Sequence, residues 1–161
     1  MRSLLLVLAT LALVPLSAIS AELHGAAYPE ARPFEQEANA TEQVDAALDR
    51  AERANKRVII VMGANWCHDS RGLAGWFAQP RFAVMLEAKY ELVYVDVGHR
   101  DRNIDIAQRF GLKAIKGTPT VLVLSPKGIL LNPKSAAQWR NAASWTEEDI
   151  FTYFDQFLPE L

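Results

Sequence analysis

Apolar positions along this chain follow two patterns, which predict helices and strands. Apolar side chains recur at helical spacing in residues 41–55, and they lie on one side of the predicted helices at 67–78, 81–88 and 103–110. Unbroken apolar runs at 58–62 and 92–97 are typical of strands buried on both faces of a sheet. Further strands are predicted at 120–124 and 129–131, and a last helix from about 146.

The order of these elements predicts an α/β fold. Strands that alternate with helices favour a largely parallel sheet with helices on both faces. The turn at 125–128 adds an antiparallel edge, so we expect a central mixed sheet of about four strands. Thr41 is the predicted N-cap of the first helix, and Thr146 with Asp149 resembles a capping box at the last one.

The start of the chain resembles a secretory signal. The apolar run 4–16 is too short to span a bilayer and is interrupted by Pro15, and small residues precede a predicted cleavage after Ser20 or Ala21. We therefore assign residues 1–20 as a signal peptide, with an uncleaved anchor as the alternative. We expect an exported protein, periplasmic if the source is a Gram-negative bacterium and otherwise secreted, without stable membrane insertion after cleavage.

The remaining chain is predicted to hold one domain. Residues 21–40, rich in Ala, Glu and Pro, are expected to form a weakly structured lead-in, and residues 41–161 the domain itself. The formal net charge is −2. Such a mild charge gives no reason to expect a nucleic-acid or anionic-membrane partner.

Cys67 is the only cysteine in the sequence, so the domain has no internal disulfide. It lies between a predicted strand and a predicted helix, where the helix N-terminus stabilises a thiolate, and we expect its sulfur to be exposed. A dithiol redox protein would have its second cysteine at the position that Ser70 occupies. The Ser70 hydroxyl and a protonated His68 are expected to favour the thiolate. The alternative is a small buried core cysteine.

Other chemistries find no support in the sequence. Cys67, His68 and Asp69 are adjacent, which is poor geometry for a single metal ion, and we predict neither a metal nor a cofactor. Phosphate-binding loops, dinucleotide fingerprints and serine-hydrolase elbows are not found in the sequence. His24 and His99 are expected to be solvated loop residues.

Two motifs carry a family resemblance. The Trp66-Cys67 pair after the first long strand and the segment Gly117-Thr118-Pro119-Thr120 before the third resemble the thioredoxin superfamily, and the element order agrees over about 41–158. The lead-in helix and the polar loop after 95–97 resemble its exported branch. The resemblance implies a cis Thr118–Pro119 peptide facing the cysteine, whereas trans would be expected from proline statistics alone.

The same resemblance implies how a substrate is held. The backbone of Thr118, next to Pro119, pairs with an extended substrate segment, and Trp66 shapes the substrate face. Two departures from the family pattern argue against ordinary dithiol reduction: Ser70 replaces the second cysteine, and Val61 stands where the family has a buried acid.

These observations lead to a functional hypothesis with alternatives. We expect a monothiol thiol–disulfide exchange protein acting on exported proteins or small thiols, with Cys67 as nucleophile and with glutathione or another thiol as a reductant. The alternative is a redox-inactive thioredoxin-fold module that binds substrates or acts like a chaperone. A third possibility, a redox-dead structural subunit, predicts that Cys67 is buried and inert.

Overall fold

The computed structural model describes residues 28–157, which form a small mixed sheet between two sets of helices. In chain order the elements are α1 (Ala40–Ala54), β1 (Arg57–Gly63), α2 (His68–Phe77), α3 (Pro80–Lys89), β2 (Tyr90–Asp96), α4 (Ile104–Arg109), β3 (Thr120–Leu124), a 3₁₀ segment (Gln138–Ser144) and α5 (Glu147–Asp155).

The sheet has the order β2-β1-β3. β1 runs parallel to β2, with Ile60 opposite Val93, and antiparallel to β3, with Ile60 opposite Leu122. The predicted mixed sheet is therefore found, although only one of its two strand pairs is parallel. Among the described residues it has three strands rather than about four, because the predicted strand at 129–131 makes only one isolated bridge, from Leu130 to Leu124.

The central strand carries two apolar cores, one on each face. Every residue of β1 is buried, and successive side chains point to opposite faces. Ile59 and Val61 belong to the core beneath α2, α3, α5 and the 3₁₀ segment. Ile60 and Met62 belong to the core beneath α1 and α4. This double burial explains why β1 has an apolar run instead of an alternating pattern.

The helix ends refine the sequence predictions. The N-cap of α1 lies two residues earlier than expected, because the Asn39 side chain, in place of Thr41, accepts a hydrogen bond from the Glu42 backbone N–H at 3.2 Å. The capping box of Thr146 and Asp149 is confirmed at the start of α5.

Residues 28–38 contain no helix or strand, but they are not the loose lead-in that we expected. Phe34 is buried, and the Ala31 N–H donates to the Arg71 carbonyl oxygen at 3.1 Å. A Cβ placed on Gly75 would clash with the Pro29 carbonyl oxygen, so a glycine is needed where this segment crosses α2. The segment is thereby fixed against the helix that follows the cysteine.

The predicted signal at residues 1–20 lies outside the described residues and stays a prediction, as do export and the domain boundary. Between residues 28 and 157, no helix combines the length and the apolar character needed to cross a membrane.

Candidate thiol site

Cys67 is the N-cap of α2, at the end of the turn that follows β1. Its backbone is extended, and its carbonyl oxygen accepts the first helical hydrogen bond, from the Arg71 N–H at 3.0 Å. No side chain caps this helix end. The N–H groups of the first turn therefore keep free donor capacity beside the cysteine, where the helix dipole favours negative charge.

The thiol points at the loop that precedes β3. Its Sγ lies 3.2 Å from the Thr118 carbonyl oxygen, and the S–H donates to it. The Thr118–Pro119 peptide bond is cis, as the resemblance implied. The structure thus brings Cys67 close to Thr118 and Pro119, from which it is far apart in the sequence.

The burial of Cys67 corrects one expectation. We expected an exposed sulfur, but the residue is only 7% exposed. The Thr118–Pro119 loop, along which we expect a substrate to bind, lies directly against the thiol. The sulfur therefore points at the Thr118 carbonyl oxygen and is largely shielded from solvent.

Ser70 does not hydrogen-bond the sulfur as we expected. Its side chain is fully buried, and its hydroxyl oxygen accepts a weak hydrogen bond from the Ala64 N–H at 3.4 Å. Within residues 28–157 no hydrogen bond joins Ser70 to Cys67. Ser70 instead packs against the start of the turn, since a Cβ on Gly63 would lie 2.6 Å from its Oγ.

His68 faces solvent, and its Nε2 lies 3.1 Å from Asp69 Oδ2. Asp69 is buried, and its other carboxylate oxygen accepts the Ala143 N–H at 2.9 Å. Asp69 therefore ties α2 to the 3₁₀ segment, a role that we did not predict. The sequence signal for this role was an acidic residue in the first turn of a predicted helix, where the helix dipole favours negative charge.

Trp66 forms the exposed wall of the site. It is 51% exposed, its Nε1–H donates to the Gly98 carbonyl oxygen at 2.9 Å, and its ring stacks on His99 at a centroid distance of 5.2 Å. His99 is therefore more than the solvated loop residue that we expected. The loop after β2 is joined to the turn that carries the cysteine.

Asn65, in the same turn, pairs with the backbone of Phe34. Its Oδ1 accepts the Phe34 N–H at 3.2 Å, and its Nδ2 donates to the Phe34 carbonyl oxygen at 2.8 Å. Such a contact between residues 31 positions apart leaves no local sequence signal. It fixes the turn that presents Trp66 and Cys67.

Arg71 braces the same turn from α2. Its Nη1 donates to the Trp66 carbonyl oxygen at 2.9 Å, and its guanidinium pairs with Glu30 at 2.9 Å. The hydrogen bond from Arg71 lowers the pKa of the Glu30 carboxyl below its ordinary value, and the same hydrogen bond raises the pKa of Arg71.

The position at which the family has a buried acid carries no ionisable side chain here. Val61, at the family's acid position, is fully buried in β1 between Tyr94 and Val121. In the described part of the chain, no group of three or more His, Cys, Asp or Glu side chains is placed to hold a metal ion.

The sequence and the fold of this chain are similar to those of known proteins. Residues 39–126 match the family described as thioredoxin-like. A disulphide isomerase from Xylella fastidiosa Temecula1 is 29% identical, with a TM-score of 0.73 over 78% of this chain and 96% of that one. Poplar thioredoxin h is 23% identical, with a TM-score of 0.47 over 74% and 92%. No curated protein matches the sequence. The family and the isomerase confirm the predicted thioredoxin-like fold.

Proposed function

Because this chain belongs to the thioredoxin-like family, we propose that it exchanges thiols and disulfides through the single thiol of Cys67. The observation that carries the proposal is the position of Sγ, at the N-terminus of α2 and 3.2 Å from the carbonyl oxygen that precedes cis Pro119. The likeness to a disulphide isomerase at 29% identity supports this type of reaction.

The reaction has two steps, and this chain supplies a nucleophile for only the first. The Cys67 thiolate attacks a substrate disulfide, so that a Cys67–substrate disulfide forms and the other substrate sulfur leaves as a thiolate. Because Ser70 is no thiol, a second, external thiolate must attack the mixed disulfide. That attack regenerates the Cys67 thiolate and leaves the external sulfur bonded to the substrate.

Deprotonation changes the contacts of the sulfur. The thiol donates to the Thr118 oxygen, whereas a thiolate has no proton to donate and would be repelled by that oxygen. The free N–H groups at the start of α2 are then the better partners. Loss of the proton therefore frees the backbone of Thr118 for an extended substrate and turns the sulfur toward the helix.

The other predicted site residues take supporting roles in this proposal. Trp66 supplies an exposed aromatic wall, Thr118 and Pro119 hold the substrate backbone, and His68, when protonated, adds positive charge next to the sulfur. Ser70 stabilises the turn that carries Cys67, because its hydroxyl accepts the Ala64 N–H, and it does not bond the sulfur. The substrates are disulfides of exported proteins or small thiols, with glutathione as one reductant, in the periplasm or outside the cell.

The burial of Cys67 favours a second candidate function. A thiol that is only 7% exposed is what the redox-dead structural subunit predicts, and it is also compatible with a module that binds extended segments along Thr118–Pro119 without redox turnover, like a chaperone.

Turnover and binding separate the two candidates. A disulfide-linked fluorescent peptide with glutathione as external thiol measures exchange, and Cys67→Ser is the matched variant. We expect turnover with the native chain and none with Cys67→Ser. Peptide binding of equal strength by both chains, without turnover by either, would favour the binding module.

A further inference from the structure

The charge around Cys67 differs in sign from the net charge of the chain as a whole. The chain has a formal net charge of −2. Three exposed cations nevertheless lie in or against the two loops that border the thiol: Arg100, Lys116 and Arg140. We call these three residues, together with Cys67 and Trp66, the thiol face.

A contact places Arg140 at this face, and the positions of Lys116 and Arg100 in the chain place the other two cations there. Lys116 comes two residues before Thr118, whose carbonyl oxygen contacts Sγ. The stem of Arg140 lies on the neighbouring Gly117, since a Cβ there would be 3.0 Å from Arg140 Cβ and 3.2 Å from its Cδ. Arg100 follows His99, which stacks on Trp66.

These cations are available to a partner. Within residues 28–157, none of the three forms an ion pair. The nearby acids are occupied: Glu30 pairs with Arg71, Asp96 lies 3.7 Å from Arg102, and Asp69 bonds the 3₁₀ segment and His68.

Asp101 is a second exposed acid of this region and, unlike Glu30, forms no ion pair within residues 28–157. It accepts the His99 N–H at 3.0 Å and so serves its own loop. With His68 neutral, Asp69 and Asp101 are two carboxylates here that pair with no Lys or Arg in the described residues, and the three unpaired cations outnumber them. The thiol face is therefore positive in a chain that is negative overall.

We propose that the thiol face selects partner proteins whose reactive cysteine lies in an acidic segment, an inference that rests on the proposed exchange by Cys67. The segment lies along Thr118 with its sulfur at Cys67, and its carboxylates reach Lys116 and Arg140 on one side and Arg100 on the other. Opposite charges at a reactive site raise association rates by roughly 10- to 1000-fold, and salt removes the gain.

Matched peptides test this selectivity. Two disulfide-linked peptides share one sequence around the cysteine, with Glu residues flanking it in one and Lys residues in the other. Their second-order rate constants with Cys67 are measured at low and high ionic strength. We expect the acidic peptide to react at least about tenfold faster at low salt, and the difference to disappear at high salt.

Charge reversal locates the effect. The double variant Lys116→Glu/Arg140→Glu should lose the preference for the acidic peptide. Lys127→Glu is the control, because Lys127 is exposed on the turn after β3, at the opposite end of that strand from Pro119. It should keep the preference. Lys116→Gln/Arg140→Gln, with circular dichroism to check the fold, should weaken the preference without reversing the charge.

The outcomes separate this inference from the proposed function. Equal rates for both peptides at low salt would overturn the acidic preference and leave exchange intact. Fluorescence anisotropy with Cys67→Ser measures the same acidic peptide without chemistry. Salt-sensitive binding that depends on Lys116 and Arg140, without exchange by the native chain, would support the charged surface and contradict the redox function.

Discussion

The Cys67 thiol donates its hydrogen bond to the Thr118 carbonyl oxygen, with 3.2 Å between Sγ and O. The nucleophile therefore occupies the backbone group that the proposed substrate needs. Exchange requires this contact to open, because the thiolate has no proton to donate. The contact accounts for the low exposure of the sulfur, 7%, in a site that we propose to be reactive.

A second thiol should shorten the life of the mixed disulfide. In Ser70→Cys, the new thiol takes the family's resolving position and can attack the Cys67–substrate disulfide within the same chain. We expect less mixed disulfide at steady state and faster peptide reduction, measured by mass spectrometry and fluorescence. Ser70→Ala removes the hydroxyl without adding a thiol and is the control. Equal accumulation of the mixed disulfide in Ser70→Cys and Ser70→Ala would contradict the proposal that the chain lacks a resolving thiol at this position.

The pairing of Asn65 with Phe34 should stabilise the whole domain. Asn65→Ala leaves a backbone N–H and a backbone carbonyl of Phe34 without their partners. We expect the free energy of unfolding to fall by about 1–3 kcal/mol, measured by urea denaturation. Asn141→Ala, an exposed site in the 3₁₀ segment, should change it by less than about 0.5 kcal/mol. Similar losses in the two variants would show that the Asn65 contacts contribute nothing specific.

Glu30 should make the stability depend on pH. Its pKa is lowered in the folded state, chiefly by the hydrogen bond from Arg71, so the ionised form stabilises the fold. This contribution is fully present above the ordinary glutamate pKa and is lost as the pH falls through the lowered value. We expect the difference in unfolding free energy between the native chain and Glu30→Gln to shrink on acidification. If this difference in unfolding free energy stayed constant as the pH fell through the lowered pKa of Glu30, the result would contradict the ion pair with Arg71.

The stack of Trp66 on His99 should shield the indole. His99→Ala removes a ring that covers one face of Trp66. We expect stronger iodide quenching of tryptophan fluorescence. His68→Ala is the matched control, because that imidazole is exposed and lies beside Asp69. Quenching that rises equally in both variants would show that His99 does not cover Trp66.

Local patterns predicted much of this fold. The apolar run of β3 gave both its ends, the Thr146–Asp149 capping box marked the start of α5, and Cys67 was placed at the start of α2. Each depends on residues close together in the sequence, where side-chain periodicity and backbone capping act directly.

Long-range contacts were missed for a physical reason. The bonds from Asn65 to Phe34 and the stack of Trp66 on His99 join separate elements, and neither leaves a periodic signal. The burial of Cys67 likewise depends on a loop 51 residues further along the chain. The antiparallel direction of β3 is also set by tertiary packing, because an apolar run has no direction of its own.

The most direct test of the account is the intact mass of the protein after incubation with a peptide disulfide and an acid quench. We predict an adduct with the mass of one peptide thiol, located at Cys67 by proteolysis and absent from Cys67→Ser. A native chain that gains no mass while it remains folded would contradict exchange through Cys67.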